Sequence, residues 1–382
     1  MLKAILFCFI TPLCAIQLED LTLEEKVGQL FIAPFAPLRE EKHRVDWVHL
    51  IEECRVGGLI LKASDPKTQL SALDWLQAQS RTLLLVAADA EWGLSMRMTE
   101  VPVFPKNQEL GKIQDLSLVE EFGREVGREA RAVGIHLNLA PCVDVLSNPL
   151  NPVIGKRSFG SDSIEVARRG SLVIQGMQQE GVFACAKHFP GHGDTTVDSH
   201  RALPVIAHSL EEMQQIDFPP FREAIHANVA AVMTAHIVFP AIDLDLPATL
   251  SPKVLSILRN AMHFEGLIIT DALNMKALDP FGTPEEIALL AHKAGADLLL
   301  YGAHLIPEVD ALLCEAIPRA YKRLLEAYQT GELPIERLDQ SVKRILQLKN
   351  RLEGQKRGEL NFDSAMILQA KLADALEKLG DQ

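Results

Sequence analysis

Between Lys187 and His200 the chain reads KHFPGHGDTTVDSH, which gathers three of its twelve histidines, two aspartates and two glycines into fourteen residues. Two chemistries fit these residue types. His188, His192 and His200 could supply the three protein ligands that a catalytic zinc favours, as in a metal-dependent barrel hydrolase. Their spacings of four and eight lie on a stretch broken by Pro190, Gly191 and Gly193, where spacing fixes no geometry as HExxH does on a helix. Alternatively, His200 could give and take a proton near neutral pH. Asp198, two residues before it, would then orient the imidazole and raise its pKa. An Asp-x-His on a loop can equally be a pair with no catalytic part.

A second reactive group stands in GLIITDALNM, where Asp271 directly follows an apolar strand-like run. A carboxylate held rigidly by a strand end can attack an acetal carbon and form a covalent intermediate. It can also be only the N-cap of the next helix, a position that suits aspartate.

Both groups need elements to hold them. Short apolar runs of strand character recur at Leu30–Ala33, Gly58–Leu61, Leu83–Ala88, His136–Ala140, Val182–Ala186, Ala230–Thr234, Leu267–Thr270 and Asp297–Leu300. Helix-like stretches such as Leu118–Val133, Ser163–Glu180, Ser209–Ala227 and Pro252–His263 separate most of them. Unalternating apolar strands between helices predict a parallel sheet covered on both faces, and eight such units predict a (β/α)8 barrel of TIM type, an α/β fold. An open doubly wound sheet competes, but no GxGxxG follows the first strand. In a barrel the chemistry belongs at the C-terminal ends of the strands. Polar residues gather there: Asp89 and Glu91 after the third strand, Asp144 after the fourth, Lys187 and His188 after the fifth, His236 after the sixth and Asp271 after the seventh. The His-x-His that many metal-dependent barrels carry after strand one is absent, since that strand ends Phe31-Ile-Ala-Pro34.

Composition narrows the partners. The chain has 382 residues, 48% hydrophobic and 23% charged, and a formal net charge of −13, which argues against a nucleic acid or an anionic membrane surface. Residues 1–15, with Lys3, the apolar Ala4–Leu13 and the small Ala15, resemble a secretory signal peptide and are too short to span a membrane. They predict an exported, periplasmic protein; an apolar first element of a cytoplasmic protein is the alternative. Cys8 and Cys14 fall in that leader. Cys54, Cys142, Cys185 and Cys314 are far apart with no CxxC pair, so neither a disulfide framework nor a zinc–cysteine site is signalled, and all four read as structural.

Together these motifs identify the chain as similar to the β-N-acetylhexosaminidases of glycoside hydrolase family 3. The resemblance runs from LTLEEKVGQLF at Leu21 to about Leu348 and includes VGGLIL, DAEWGLSMR, APCVDV, GKRSFG, KHFPGHGDTTVDSH, MTAHIVFP, LPATLSP and GLIITDALNM. It implies that Asp271 is the nucleophile, His200 the acid/base and Asp198 its partner. It further implies that Asp89, Arg97, Arg157, Lys187 and His188 bind the sugar, that no cofactor or metal is required, and that the substrate is a terminal β-linked N-acetylglucosamine on a peptidoglycan fragment. His192 is expected to pack or bond within its loop. Trp92 departs from the pattern, since many members have glycine there. Many β-glucosidases of the family take their acid/base glutamate from a second domain; here RLEGQKRGEL and FDSAMILQAKLADALEKLG read as a charged stretch and one amphipathic helix, which points back to His200. The expected organisation is a leader at 1–15, a catalytic barrel at 16–350 and a helical extension at 351–382, acting as a monomer. An inactive carbohydrate-binding barrel is the reading from another class.

Overall fold

The computed structural model describes residues 16–36, 41–197, 202–302 and 309–380. Its eight strands are β1 (Phe31–Phe35), β2 (Gly58–Leu61), β3 (Leu85–Ala88), β4 (Leu137–Asn138), β5 (Phe183–Phe189), β6 (Ala231–Thr234), β7 (Leu267–Ile269) and β8 (Leu299–Leu300). They pair in parallel in the order β7-β6-β5-β4-β3-β2-β1-β8, and a parallel bridge between Ile269 and Leu298 brings β7 against β8. The chain is a (β/α)8 barrel of TIM type. All eight strands fall on the apolar runs read from the sequence. Their residues are buried throughout, because one face meets the barrel interior and the other the helices. That double burial is why the runs do not alternate.

The helices start where capping side chains satisfy their first N–H groups. Asp115 accepts from Ser117 N ahead of Leu116–Ala132, and Asp162 accepts from Ile164 N and Glu165 N ahead of Ser163–Gln179. These two helices lie so close that a Cβ on Gly176 would come within 2.5 Å of the Glu120 carbonyl oxygen. The stretch expected as one helix over 209–227 is two, Leu210–Gln215 and Phe218–His226, with Pro219 and Pro220 in the first turn of the second, where a missing N–H costs nothing. The 252–263 stretch is a short helix, Pro252–Ser256, that widens into a π-turn at Ile257–Ala261.

After the barrel, the amphipathic pattern read at the C-terminus is the helix Asp363–Gly380. It buries Ala365, Leu368 and Leu372 and docks on Leu116–Ala132, where Ser364 Oγ donates to Glu125 at 3.1 Å and Lys371 pairs with Glu121 at 2.8 Å. Among the described residues no helix is long and apolar enough to cross a membrane.

The seam between β7 and β8 has little strand pairing, and a buried carboxylate reinforces it. Asp297, fully buried, accepts from Ile268 N at 3.0 Å and from Ser341 Oγ at 2.5 Å. Three guanidiniums converge on it: Arg259 at 2.8 Å, Arg344 at 3.4 Å and Arg337 at 3.5 Å. Removing one partner of a buried ionic cluster leaves its remaining charges uncompensated. Asp297→Ala should therefore lower unfolding free energy by about 3–5 kcal/mol in a urea titration. An unchanged midpoint would mean that strand pairing alone holds the seam.

Candidate active site

The site is built from the ends of β3, β5 and β7 and from the segment after β4. Asn138, buried in β4, takes up the backbone of Ala90 from both sides: its Oδ1 accepts from Ala90 N at 3.0 Å and its Nδ2 donates to Ala90 O at 3.1 Å. This fixes the turn just past β3 with Asp89 on one side and Glu91 on the other.

The sequence pattern places Lys187 and His188 just beyond the fifth strand; β5 instead runs through them to Phe189. The register against β6 slips between Lys187 and Phe189, and such an irregularity re-aims side chains that would otherwise alternate between the faces. Lys187 N and O also bond Pro141 O and Val143 N, at 3.2 and 2.8 Å, which ties the post-β4 segment bearing Asp144 to β5.

From these anchors a continuous run of charges crosses the mouth. Arg97 donates to Asp89 Oδ2 at 2.6 Å, and Lys187 Nζ donates to Asp89 Oδ1 at 2.8 Å. The same ammonium lies 2.9 Å from Glu91 Oε1. Arg157 grips Glu91 through Nε and Nη2, at 3.1 and 2.8 Å, and its Nη2 lies 3.3 Å from His188 Nε2. The other ring nitrogen, His188 Nδ1, is 2.7 Å from Asp144 Oδ2, and Asp144 also accepts the backbone N–H groups of His188 and His192, at 3.1 and 2.7 Å. Asp89, Glu91, Asp144, Lys187 and His188 are all buried.

Each carboxyl responds to two opposing influences. Burial, the larger, favours its protonation, but the combined pull of the cations and hydrogen bonds wins. Asp89 is held well below the usual carboxylate range by Lys187 and Arg97, and Asp144 likewise by His188 and His192. Glu91, against Arg157 and Lys187, is lowered to about 2. Lys187 is pushed up by Asp89 and Glu91 although burial opposes its charge.

The resemblance's sugar-binding set, Asp89, Arg97, Arg157, Lys187 and His188, is thus one connected network. Asp271 stands at the same end of the barrel, one residue past the buried Thr270, with its Oδ1 accepting from Ala272 N at 2.7 Å. Asp271, Asp89 and Lys187 all act on the buried Cys185 thiol, which burial pushes up to about 12. Beneath the Asp271 turn, His236 bonds Thr249 at 2.8 Å and Ala272 O at 3.0 Å, so it braces that turn. Asp198 and His200 lie outside the described residues.

The first limb of their loop is described, and it rests on the post-β4 segment. A Cβ on Gly193 would fall 1.5 Å from Val145 O, so only glycine fits. His192 Nδ1 lies 3.1 Å from Thr195 Oγ1, and Asn151 donates to His192 O at 2.7 Å, which places His192 within the loop as expected. For the metal reading, Cys142, Asp144 and His188 are the one donor group that draws together among the described residues. Arg157 lies 3.3 Å from His188 Nε2 and its charge also acts on Cys142, so a cation already stands beside this group; His200, the third ligand of the sequence's metal reading, lies outside the described residues. Of the four cysteines read as structural, Cys54, Cys142 and Cys185 are buried and Cys314 is exposed.

Two network members, Glu91 and Asp144, read in the sequence only as polar strand ends. Glu91 links Lys187 to Arg157, and Asp144 orients His188. Trp92, the departure from the pattern, is half-buried and carries the Lys106 ammonium 4.8 Å from its ring centroid.

The profile of the Glycosyl hydrolase family 3 N terminal domain matches residues 22–348. The chain belongs to that family. Beta-hexosaminidase A of Pseudoalteromonas piscicida is 32% identical over 329 residues, which are 79% of this chain and 54% of that protein. The chain thus spans about half the length of that relative. The family 3 β-N-acetylglucosaminidase of Paenibacillus sp. str. FPU-7 superposes with a TM-score of 0.84 at 38% identity, covering 93% of this chain and 69% of the other. The β-N-acetylhexosaminidase of Beutenbergia cavernae does so with 0.77 at 28% identity, covering 87% of this chain and 99% of the other. By family, the chain is a glycosidase.

A buried glutamate under the β3 loop makes the site's support sensitive to pH. Glu129 accepts from Leu94 N at 3.4 Å with one oxygen, and its other oxygen has no partner. Burial raises it from 4.5 to about 8. The unfolded chain ionises it first, so its contribution to stability is present at acid pH and falls away as pH climbs from about 4.5 to about 8. Glu129→Gln should keep unfolding free energy flatter over that window and exceed the parent by about 2 kcal/mol or more at its upper end in urea titrations. A variant as pH-sensitive as the parent would show that Glu129 is already ionised in the fold.

Proposed function

We propose that this glycosidase is a retaining exo-β-N-acetylglucosaminidase. The observation that carries the reading is the single network formed by the five expected sugar-binding residues at the same barrel end as Asp271. Asp89, Arg97, Arg157, Lys187 and His188 offer charged donors and acceptors that strengthen hydrogen bonds to sugar hydroxyls. Their mutual pairing pre-sets their positions before a sugar arrives.

Asp271 attacks the anomeric carbon while His200 gives a proton to the departing oxygen, and a covalent glycosyl–aspartate forms. His200 then takes a proton from water, whose oxygen attacks the same carbon and returns Asp271 as a carboxylate. Asp198 holds the His200 ring through both steps. The limb at 190–197, resting on the Asp144 segment, supports the loop that bears the pair. Neither metal nor organic cofactor enters this scheme. The substrate is a terminal β-linked N-acetylglucosamine, with peptidoglycan fragments as its source.

Product analysis on purified cell-wall fragments tests the substrate, with free N-acetylglucosamine expected. Asp271→Ala should abolish turnover without lowering Tm, and a 2-fluoro or 5-fluoro glycoside should label Asp271 in the parent; label on another residue would sink the nucleophile assignment. His200→Ala should depress turnover of poor leaving groups far more than of nitrophenolates, which depart unprotonated. Equal losses on both would make His200 structural.

We propose also that residues 1–15, which precede the matched segment and lie outside the described residues, are an export leader. N-terminal sequencing of the native protein should then begin near Ile16 in a periplasmic fraction. An intact Met1 or Leu2 in the cytoplasm would place the enzyme inside the cell.

A further inference from the structure

The excursion that carries the proposed acid/base leaves the barrel after β5 and returns through His208, ahead of the helix Leu210–Gln215. Its return limb is stitched to the segment after β6: Ile206 N donates to Val238 O and Val238 N to Pro204 O, each at 3.0 Å. Its outgoing limb is held lightly at Asp194, which accepts from Ser147 Oγ at 3.5 Å. One imidazole joins the two limbs. His208 Nε2 lies 3.4 Å from Asp194 Oδ2, and its Nδ1 lies 2.8 Å from Asp217 Oδ2. Asp217 is buried just before the helix Phe218–His226, and it is also the group against which Gly191 packs: a Cβ there would come within 2.6 Å of its Oδ1. Asp217 therefore meets the first turn of the excursion directly and its last residue through His208.

We propose that His208 is a positioning residue for the catalytic loop. Its imidazole, set between Asp194 on the outgoing limb and Asp217 on the barrel, closes the base of the excursion by tying its described limbs, 194–197 and 202–207, to one another and to the barrel. This rests on the reading of His200 and Asp198 as the proton-transfer pair.

Charge gives the clamp a direction in pH. Asp194, Asp217 and Glu212 face the ring, and Asp144 and Asp194 act on Asp217. The hydrogen bond to Asp217 is the largest influence on His208 and raises it above 6.5; partial burial opposes this, and the charges of Asp217, Asp194 and Glu212 add to the rise. A folded-state pKa above the unfolded value means the clamp is complete below about 6.5 and is lost as pH rises through the higher folded value. Once the ring is neutral, Asp194 and Asp217 face each other as two carboxylates with no cation between them. The loop is thus held more firmly on the acid side of that range than on the alkaline side.

The test uses the full chain without substrate. Asp194→Asn removes one jaw and leaves the ring bonded to Asp217. It should lower the His208 pKa read by NMR and speed hydrogen exchange of amides in 194–207 on the order of tenfold at pH 5.5, with the barrel strands unchanged. His208→Gln should give the same exchange pattern at pH 5.5 and remove the pH dependence of the loop's protection relative to the intrinsic exchange rate. With an aryl β-N-acetylglucosaminide, Asp194→Asn should lower kcat more than it changes KM and make the alkaline limb of the parent's pH profile shallower. Parent-like His208 titration and loop exchange in Asp194→Asn would overturn the clamp, since the ring would then serve Asp217 alone. Exchange is read without turnover, so a parent that releases no sugar would overturn the functional reading and not the clamp.

Discussion

Everything at the mouth of this barrel depends on keeping charge buried without leaving any of it alone. Asp89 and Glu91 alternate with the cations Arg97, Lys187 and Arg157, and the His188 ring joins Arg157 to a third carboxylate, Asp144. Taking a charge out of water costs several kcal/mol, and only close partners of opposite sign with good geometry offset it. No member can therefore be moved alone. Asp89 is fixed by two cations at once, Lys187 by two carboxylates, and the His188 ring by Asp144 on one side and Arg157 on the other. The polar site holds its shape because every alternative arrangement strands a charge.

That requirement explains the local architecture. Lys187 and His188 are consecutive residues that serve the same network, which a regular strand would turn to opposite faces; the register slip against β6 lets both take part. Asn138 clamps the turn past β3, and the post-β4 segment adds itself to β5 through Pro141 and Val143. Gly193 lets the next loop lie directly on that segment. Barrel strands supply rigid ends, and short, specific hydrogen bonds convert those ends into a site.

Much of this was legible in the sequence. Eight unbroken apolar runs gave the strands, because double burial removes alternation and leaves a signal that periodicity detects. The polar residues at their ends gave the mouth. What could not be read was who pairs with whom. Lys187 and Asp89 are 98 residues apart and stand on β5 and just past β3, strands that β4 separates in the sheet; no local pattern encodes that meeting. Glu91 and Asp144 accordingly looked like strand ends when they are the links on which Arg157 and His188 depend. The break in the 209–227 helix was written in Phe218-Pro219-Pro220, yet the amphipathic pattern continues across it and hides the restart. The β7–β8 seam was invisible for another reason: Asp297 precedes an apolar run and looks like any strand flank until Arg259, Arg337 and Arg344 are folded around it.

The alternation of charge across the mouth also governs how a substrate finds the protein. The three positive and three negative groups of the network largely cancel one another at range, while the chain as a whole carries −13. A neutral sugar then arrives by unguided diffusion, at a rate indifferent to ionic strength. A fragment bearing carboxylates is repelled by the molecule as a whole, and added salt, by screening that repulsion, speeds its capture. Selectivity resides in contacts made after arrival, and the approach itself discriminates against the more acidic of two otherwise equivalent fragments.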